Sequence, residues 1–582
     1  MYFENREPNY DKFPTLKIEG CAGESWQGMD AVVRELQSRV CGDKTVIVFD
    51  YYHGVHKEVI EAIICGLHAD KVIFSEEAKL PENVLLEKLG HNITDDRVFG
   101  SISTHKLKEF FDGKKLTVLT EQAEEAKGFV VIYGIGASLV AAGDVLVYGD
   151  ITRWEVQLRY RAGMDNWGAC NYDEDILRKY KRGYFVEWRV MDRHKTALLP
   201  KTDYVMDLNV DEEPKMVTGK AFHAMMKTFS KQPFRLVPYF DEGIWGGVWM
   251  EEVCGLEHRK NNMAWCFDGV PEENSIRGEI DGVAVEFPAM DLVKTQPVNL
   301  LGKKVFSRFG AEFPIRFDFL DTMSGGNLSL QVHPLTEYIH DNFGMSYTQD
   351  ESYYILDAED GASVYLGVKD GVTDDELIPA LQRAGEGTEV FDDKKYINNF
   401  PIKKHDHILI PAGTLHCSGS GAMVLEISAT PYIFTFKLWD WGRVGLDGKP
   451  RPINVEHGAK NIQFDRTTDW CRENLLSNIQ ELSDNDHLKV ERTGLHELEF
   501  IETKRYWFDR ETVFSCEESV NMLNLIEGEE ARIASPDGNF EPYVVHYAET
   551  FIIPESVKEY QIAPYGRSQG KEIAVIKATV KV

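Results

Sequence analysis

Four residues between positions 331 and 416 have side chains that bind divalent metal ions. Gln331 and His333 stand two apart in the apolar run LSLQVHP, so on a strand both point to the same face. Glu351 opens a second β-rich run, ESYYIL, and His416 follows the run HILIPAGT. Mixed nitrogen and oxygen ligation without a thiolate is typical of Zn²⁺ or another first-row divalent ion. A histidine-containing pair of strands is more often purely structural, so these four residues do not establish a metal site without the segments around them.

The segments around these residues resemble blocks of the type I mannose-6-phosphate isomerases, in the same order. The blocks are FPIRFDFLDTMSGGNLSLQVHP, ESYYILDAEDGASVYLG, ILIPAGTLHCSGSGAMVLEIS and FKLWDWGRVGLDGKPRPINVEH. An earlier block, RLVPYFDEGIWGGVWMEEVCGL, is similar to the start of that family's catalytic chain. The resemblance runs from about residue 233 to the last residue. It implies a metal-dependent aldose–ketose isomerase that interconverts mannose 6-phosphate and fructose 6-phosphate, with one Zn²⁺ on Gln331, His333, Glu351 and His416.

The same resemblance assigns two further residues. Arg443, in the segment WDWGR, matches a catalytic arginine of the family, and Ser329 matches a serine near the substrate phosphate. A salt bridge to Asp440 is the alternative role for Arg443, and a buried turn hydroxyl is the alternative for Ser329.

Two positions depart from the family pattern. Gln349 and Asp318 stand where most members carry lysine, so two cations are missing from a site that must bind a phosphate dianion. Arg316 and Lys437 are the candidates to replace them as substrate-binding residues. The departures leave open an isomerase of the same fold that acts on a different sugar or sugar phosphate, or a non-catalytic sugar- or nucleotide-responsive metal-binding protein.

The general base also stays open. Asp318, Glu337 and a metal-bound water are all candidates, because the sequence places none of them relative to the reacting carbons.

Composition restricts the partners and the compartment. The formal net charge of −31 disfavours nucleic acid and anionic membrane surfaces, so a small anionic substrate requires cations concentrated at its own site. Nine scattered cysteines without a CxxC pair indicate reduced thiols. We find no signal-like N-terminus and no run of about 20 apolar residues that could span a bilayer. We therefore expect a cytoplasmic protein that binds a small sugar phosphate.

The first 230 residues alternate strand and helix patterns. Strands are predicted at 45–52, 71–74, 115–119, 129–137 and 144–150, and helices at 57–67, 82–89 and 105–111. Such alternation predicts a parallel α/β sheet covered on both faces. The phosphate loop pattern GxxxxGK[ST] does not occur.

The second half of this region resembles the uridine kinase type of P-loop fold. The resemblance lies in the order of charged residues after a strand that ends in Asp150: Arg153, Arg159, Arg161, Arg189, Arg193 and Lys195. Without a phosphate loop, kinase activity is not expected. We interpret the arginines first as partners of nearby carboxylates that hold a domain interface, with an anion or nucleotide sensor that regulates the catalytic half as the alternative.

Short strands separated by Gly-, Asp- and Asn-rich turns dominate after residue 230. This pattern predicts an all-β double cupin or jelly roll, with a helical insertion at 374–384. The segments from about residue 519 onward repeat this pattern of strands, turns and prolines without the metal-binding residues, and predict a second barrel. The predicted domains are 1–230 (kinase-like, no phosphate loop), 231–484 (metal-binding cupin) and 485–582 (second cupin without metal), because 582 residues exceed one hydrophobic core.

Overall fold

A computed structural model describes residues 7–431, 433–446, 448, 451–494, 496 and 499–581. The chain divides into two compact units that interleave along the sequence. The N-terminal unit contains Thr15–Phe229 and Ser275–Thr295, and the C-terminal unit contains the residues before Thr15, Ser230–Asn274 and the chain from Gln296 onward. The division at residues 230 and 485 stays a prediction.

The N-terminal unit is built on a seven-stranded sheet in which five adjacent strands, running to one edge, are parallel and the two strands at the other edge are antiparallel. In sheet order the strands are Ser25–Gln27, Lys215–Thr218, Tyr204–Asp207, Val145–Asp150, Lys44–Tyr51, Gly128–Tyr133 and Lys71–Phe74. The helices are Met29–Ser38, Lys57–Leu67, Glu82–Ile93, Gly113–Glu125, Arg153–Arg161, Ile176–Arg182, Trp188–Leu198 and Gly219–Phe229. Strand Lys44–Tyr51 is the middle one of the five parallel strands, and its last five residues are all buried, as its continuous apolar run predicts. The likeness to the kinases stays a prediction.

Two local predictions in this unit were wrong. The segment predicted as a strand at 115–119 lies in helix Gly113–Glu125, whose N-cap Asp112 accepts hydrogen bonds from the backbone N–H groups of Lys114 and Lys115. This cap overrides the β-branched run KLTVLT, because it satisfies donors at the helix start that a strand would leave to a partner. The helix predicted at 105–111 is only the short 3-10 turn Leu107–Phe110.

A hairpin and helix from later in the chain belong to the same unit. Strands Ser275–Ile280 and Val283–Pro288 form a small sheet with Thr15–Ile18, and helix Ala289–Thr295 follows them.

The C-terminal unit is strand-rich, and its described residues form four antiparallel sheets in two pairs. We call the first pair the first β module. Its six-stranded sheet has the order His407–Ile410, Glu351–Ala358, Ala422–Ala429, Ile315–Asp321, Met263–Gly269 and Tyr239–Gly247. Its five-stranded sheet has the order Ile397–Pro401, Ser363–Val368, His416–Ser418, Leu330–Val332 and Phe436–Trp439.

The second β module is the other pair. Its six-stranded sheet has the order Gln480–Asp484, Leu488–Gly494, Ile501–Phe508, Ile573–Val580, Asn521–Glu527 and Thr550–Ile553. Its four-stranded sheet has the order Thr512–Ser515, Glu559–Pro564, Glu530–Ala534 and Tyr543–His546. Phe508, Leu523 and Ile573 from the first sheet and Ala531 and Tyr560 from the second share one buried core, so the two sheets pack face to face.

Helices are short in the C-terminal unit. They are Trp249–Val253, Pro297–Leu301, Lys303–Phe309, Thr336–Phe343, Asp374–Gly385, Asp393–Tyr396, Val455–Ala459 and Thr468–Asn474. Asp374–Gly385 is the helical insertion that the sequence predicts. Among the described residues, no helix is both long enough and apolar enough to cross a bilayer.

Candidate metal centre

The predicted ligands come from both sheets of the first β module. Gln331 lies in the centre of strand Leu330–Val332 and is paired directly with His416, so the two side chains share one face of the five-stranded sheet. His333 follows that strand immediately. Glu351 is the first residue of Glu351–Ala358 in the six-stranded sheet.

The four side chains converge inside the module. Glu351 lies between the two imidazoles: Oε2 is 2.8 Å from His333 Nε2 and Oε1 is 2.9 Å from His416 Nε2. The ligand atoms of these three residues all lie within 4.8 Å of one another. The side-chain amide of Gln331 is 3.2 Å from His416 Nε2. All four side chains are buried, so the cluster is shielded from bulk water.

Backbone carbonyls orient both imidazoles. His333 Nδ1 is 3.2 Å from the carbonyl of Phe434, and His416 Nδ1 is 2.9 Å from the carbonyl of Thr414. A carbonyl can only accept, so each Nδ1 donates its hydrogen and each neutral ring turns a lone pair at Nε2 towards the cluster. Two lone pairs and a carboxylate then face one another in a buried space. Such a donor set fits a shared divalent cation, because only a positive charge makes this arrangement favourable.

Burial and the short distances between the side chains shift the pKa values of Glu351 and His333. Burial acts to raise the pKa of Glu351, but the two imidazoles overcome it and hold that pKa well below its usual range. Burial acts to lower the pKa of His333, but Glu351 overcomes it and raises that pKa.

An acidic group lies beside the cluster on the six-stranded sheet. Asp318 and Glu426 are directly opposite each other on neighbouring strands, and both are buried. Burial, and then Glu351 and Glu273, raise the pKa of Asp318 to about 6, against the opposing effect of Arg316. We call Asp318 and Glu426 the acidic wall.

Two polar side chains complete the surroundings of this wall. Gln349 donates hydrogen bonds to Glu351 (3.3 Å) and to Glu426 (3.2 Å). The guanidinium of Arg316 lies 3.5 Å from Asp318 and 3.9 Å from Glu426, so much of its charge is already balanced.

A basic group lies on the other sheet, on strand Phe436–Trp439 and the loop after it. Lys437 is paired with Gln331 across the sheet, so its side chain points to the same face as that residue. Arg443 is 2.6 Å and Arg451 is 2.9 Å from the carboxylate of Asp440. Burial and then Arg451 lower the pKa of Lys437 to about 7. We call Lys437, Arg443 and Arg451 the basic wall.

The other predicted residues occupy distinct places. Ser329 is buried two residues before Gln331. Among the candidate bases, Asp318 faces the interior, whereas Glu337 is exposed on helix Thr336–Phe343. Sequence reasoning did not identify Glu426 or Arg451. Glu426 could have been noticed as the one charged residue in the buried strand AMVLEISA, but no local pattern marks Arg451.

Comparisons with known proteins point to one group of enzymes. The chain is 23% identical over 346 residues to the mannose-6-phosphate isomerase ManA of Bacillus subtilis, which covers 58% of this chain and 95% of that protein. It is 25% identical over 227 residues to the mannose-6-phosphate isomerase of Streptococcus mutans, which covers 39% of this chain and 66% of that protein.

About three fifths of the chain is homologous to mannose-6-phosphate isomerases. A crystal structure of the mannose 6-phosphate isomerase from Bacillus subtilis matches 60% of this chain and 99% of its own, at 20% identity and a TM-score of 0.48. Residues 28–231 match a family model described as a domain of unknown function (DUF8485).

The arginines of that N-terminal region have partners within their own unit. Arg153 pairs with Asp192 at 3.1 Å and Arg159 pairs with Asp211 at 3.0 Å. Arg193 donates hydrogen bonds to two backbone carbonyls, those of Ser103 and His105. The contacts of Arg153 and Arg159 agree with pairing to nearby carboxylates, and the role of the arginines at a domain interface stays a prediction.

Proposed function

We propose that the protein is a metal-dependent aldose–ketose isomerase that interconverts mannose 6-phosphate and fructose 6-phosphate. The observation that carries the proposal is the buried cluster of His333, Glu351 and His416, in which both imidazoles turn Nε2 towards one carboxylate. Homology of about three fifths of the chain to mannose-6-phosphate isomerases supports the choice of reaction.

The ion that we propose is Zn²⁺, held by Gln331, His333, Glu351 and His416. When bound, it would act as a Lewis acid that stabilises negative charge on the sugar oxygens during proton transfer between C1 and C2.

Arg443 is the proposed catalytic residue among the cations. Its ion pair with Asp440 restricts the guanidinium, and a fixed guanidinium stabilises developing oxyanion charge without reorganisation. Lys437, Ser329 and Arg316 are the proposed substrate-binding residues. Lys437 can meet an anionic group, whereas Arg316 is already engaged by two carboxylates.

The test is a coupled assay of mannose 6-phosphate conversion on the purified protein. We expect activity that is lost on chelation and restored by Zn²⁺, because without the ion no Lewis acid stabilises negative charge on the sugar oxygens. A matched variant, Arg443→Lys, should retain the metal and lose about 100-fold or more in turnover, since one fixed charge contact contributes about that much. Turnover that survives complete metal removal would contradict the proposal.

A second candidate is isomerisation of a different sugar or sugar phosphate. The acidic wall favours it, because a substrate that binds beside these two buried carboxyl groups must offer hydrogen-bond donors to them. A panel of aldoses, ketoses and their phosphates would distinguish the two: a much higher kcat/KM for another pair identifies that pair. Tight metal binding without turnover of any sugar would instead indicate a metal-containing binding protein.

A further inference from the structure

The acidic wall presents hydrogen-bond acceptors that have no donor. Asp318 Oδ1 and Gln349 Oε1 are both buried, and no described residue donates a hydrogen bond to either. A buried acceptor without a donor is costly, so this surface calls for a ligand with donor groups. Sugar hydroxyls are donors. A phosphate dianion offers only acceptors and is repelled by the ionised form of Asp318.

The basic wall has more positive charge than the carboxylate beside it can balance. Arg443 and Arg451 share one carboxylate, Asp440, so one positive charge of this pair is not balanced by it. The Lys437 ammonium makes no hydrogen bond or ion pair with any residue in the described part of the chain. This surface therefore calls for an anionic acceptor.

The two walls belong to different sheets of the module. Glu351, on the six-stranded sheet with Asp318 and Glu426, contacts His333 and His416 from the five-stranded sheet that carries Lys437. The cluster therefore lies where the two inner faces meet. A ligand bound at the cluster can be contacted from both sides.

We propose that the site is bipolar. A sugar phosphate binds with its phosphate towards Lys437 and Arg451 of the basic wall and with its hydroxyls towards Asp318 and Gln349, and Arg443 keeps its proposed role at the developing oxyanion. Lys437 and Asp318 thereby determine specificity, Lys437 for the phosphate and Asp318 for the hydroxyls. This inference rests on the proposed function, since it assumes that the ligand at the cluster is a sugar phosphate.

The test uses two open-chain polyols that the enzyme cannot isomerise, mannitol and mannitol 1-phosphate. Calorimetry on the zinc-loaded full-length protein gives a Kd for each. Lys437→Met should weaken mannitol 1-phosphate about 10-fold or more and mannitol less than about twofold, because only the phosphorylated ligand loses a charge-assisted hydrogen bond. Lys437→Arg should restore most of the loss. Asp318→Asn should weaken both ligands by the same factor, about three- to tenfold.

A matched control is Lys304→Met, an exposed lysine paired with Glu518, which should change neither Kd. Zinc content, measured for every variant, reports whether the cluster is intact. Tighter binding of mannitol 1-phosphate relative to mannitol in Asp318→Asn would overturn the proposal, because it would place the phosphate beside the acidic wall. Equal losses for both ligands in Lys437→Met would also overturn it. Neither polyol is turned over, so this result stands apart from the isomerase assay.

Discussion

Glu351 is the residue on which the candidate metal centre depends. It is the one carboxylate of the cluster, and it contacts both imidazoles at 2.8 and 2.9 Å. The spacing of Gln331 and His333 could be read from the sequence, because residues two apart on a strand share a face. The approach of Glu351 from a second sheet could not, because sheet packing is not encoded in a local period.

We predict that Glu351→Gln weakens zinc binding by at least about 100-fold. Loss of a residue that only hydrogen-bonds a metal ligand lowers metal affinity by about 10- to 100-fold, and loss of a carboxylate ligand itself should cost more. Zinc affinity is measured by competition with a chromogenic chelator. Glu359→Gln is the control, since Glu359 is exposed and accepts a hydrogen bond from Ser324. Unchanged zinc affinity in Glu351→Gln would exclude this residue as a ligand.

At the scale of elements, strand pairing decides which polar groups meet. The register of Ile315–Asp321 against Ala422–Ala429 brings Asp318 opposite Glu426 and leaves Arg316 to bridge them. Packing between distant segments buries His407. Its ring lies against Gly494, where a Cβ would be 2.3 Å from His407 Cε1, and its Nδ1 is 3.0 Å from Thr493 Oγ1.

His407 should make the protein sensitive to acid. Burial, and then Arg505, lower its pKa to about 3, so the ring is neutral in the folded state and protonates near pH 6.5 when unfolded. A lowered histidine pKa gives stability that is present above the unfolded pKa and is lost as pH falls towards the folded one. We expect this residue to lower the free energy of unfolding by about 2 kcal/mol between pH 7.5 and pH 5.

Urea unfolding of wild type and His407→Asn at both pH values measures this effect. The asparagine amide can keep a hydrogen bond to Thr493 but does not titrate, so the variant should lose that part of the acid dependence. The control is His258→Asn, an exposed histidine. An acid dependence in His407→Asn equal to that of wild type would refute the assignment.

At the scale of the whole molecule, each unit is built from segments that are not contiguous in the sequence. Helix Ala289–Thr295 contributes Asp291 and Lys294 to a buried ion network of the N-terminal unit. Lys195 Nζ lies 2.7 Å from Asp291 and 3.1 Å from Asp150, and all three side chains are buried. Residues 15–229 are therefore not the complete unit.

We predict that Lys195→Met destabilises the N-terminal unit by about 3 to 5 kcal/mol, because it leaves two buried carboxylates without their shared cation. The measurement is urea unfolding of the full-length protein, followed by tryptophan fluorescence. Lys220→Met, at an exposed lysine paired with Glu24, should leave the transition unchanged. A similarly small effect of Lys195→Met would show that the network does not stabilise the unit.

The sequence by itself determined the chemistry that is available and most of the local structure. Gln331, His333, Glu351 and His416 are identifiable as metal-binding types, and the apolar run of Lys44–Tyr51 and the helix Asp374–Gly385 follow from their own patterns. Only the tertiary structure decided which of these groups meet. Glu351 contacts the two imidazoles, and Asp318 lies opposite Glu426. Arg316 forms ion pairs with these two acidic residues. Ser275–Thr295 belongs to the N-terminal unit. Each of these outcomes joins segments far apart in the chain, and burial and strand register, rather than local propensity, determine such contacts.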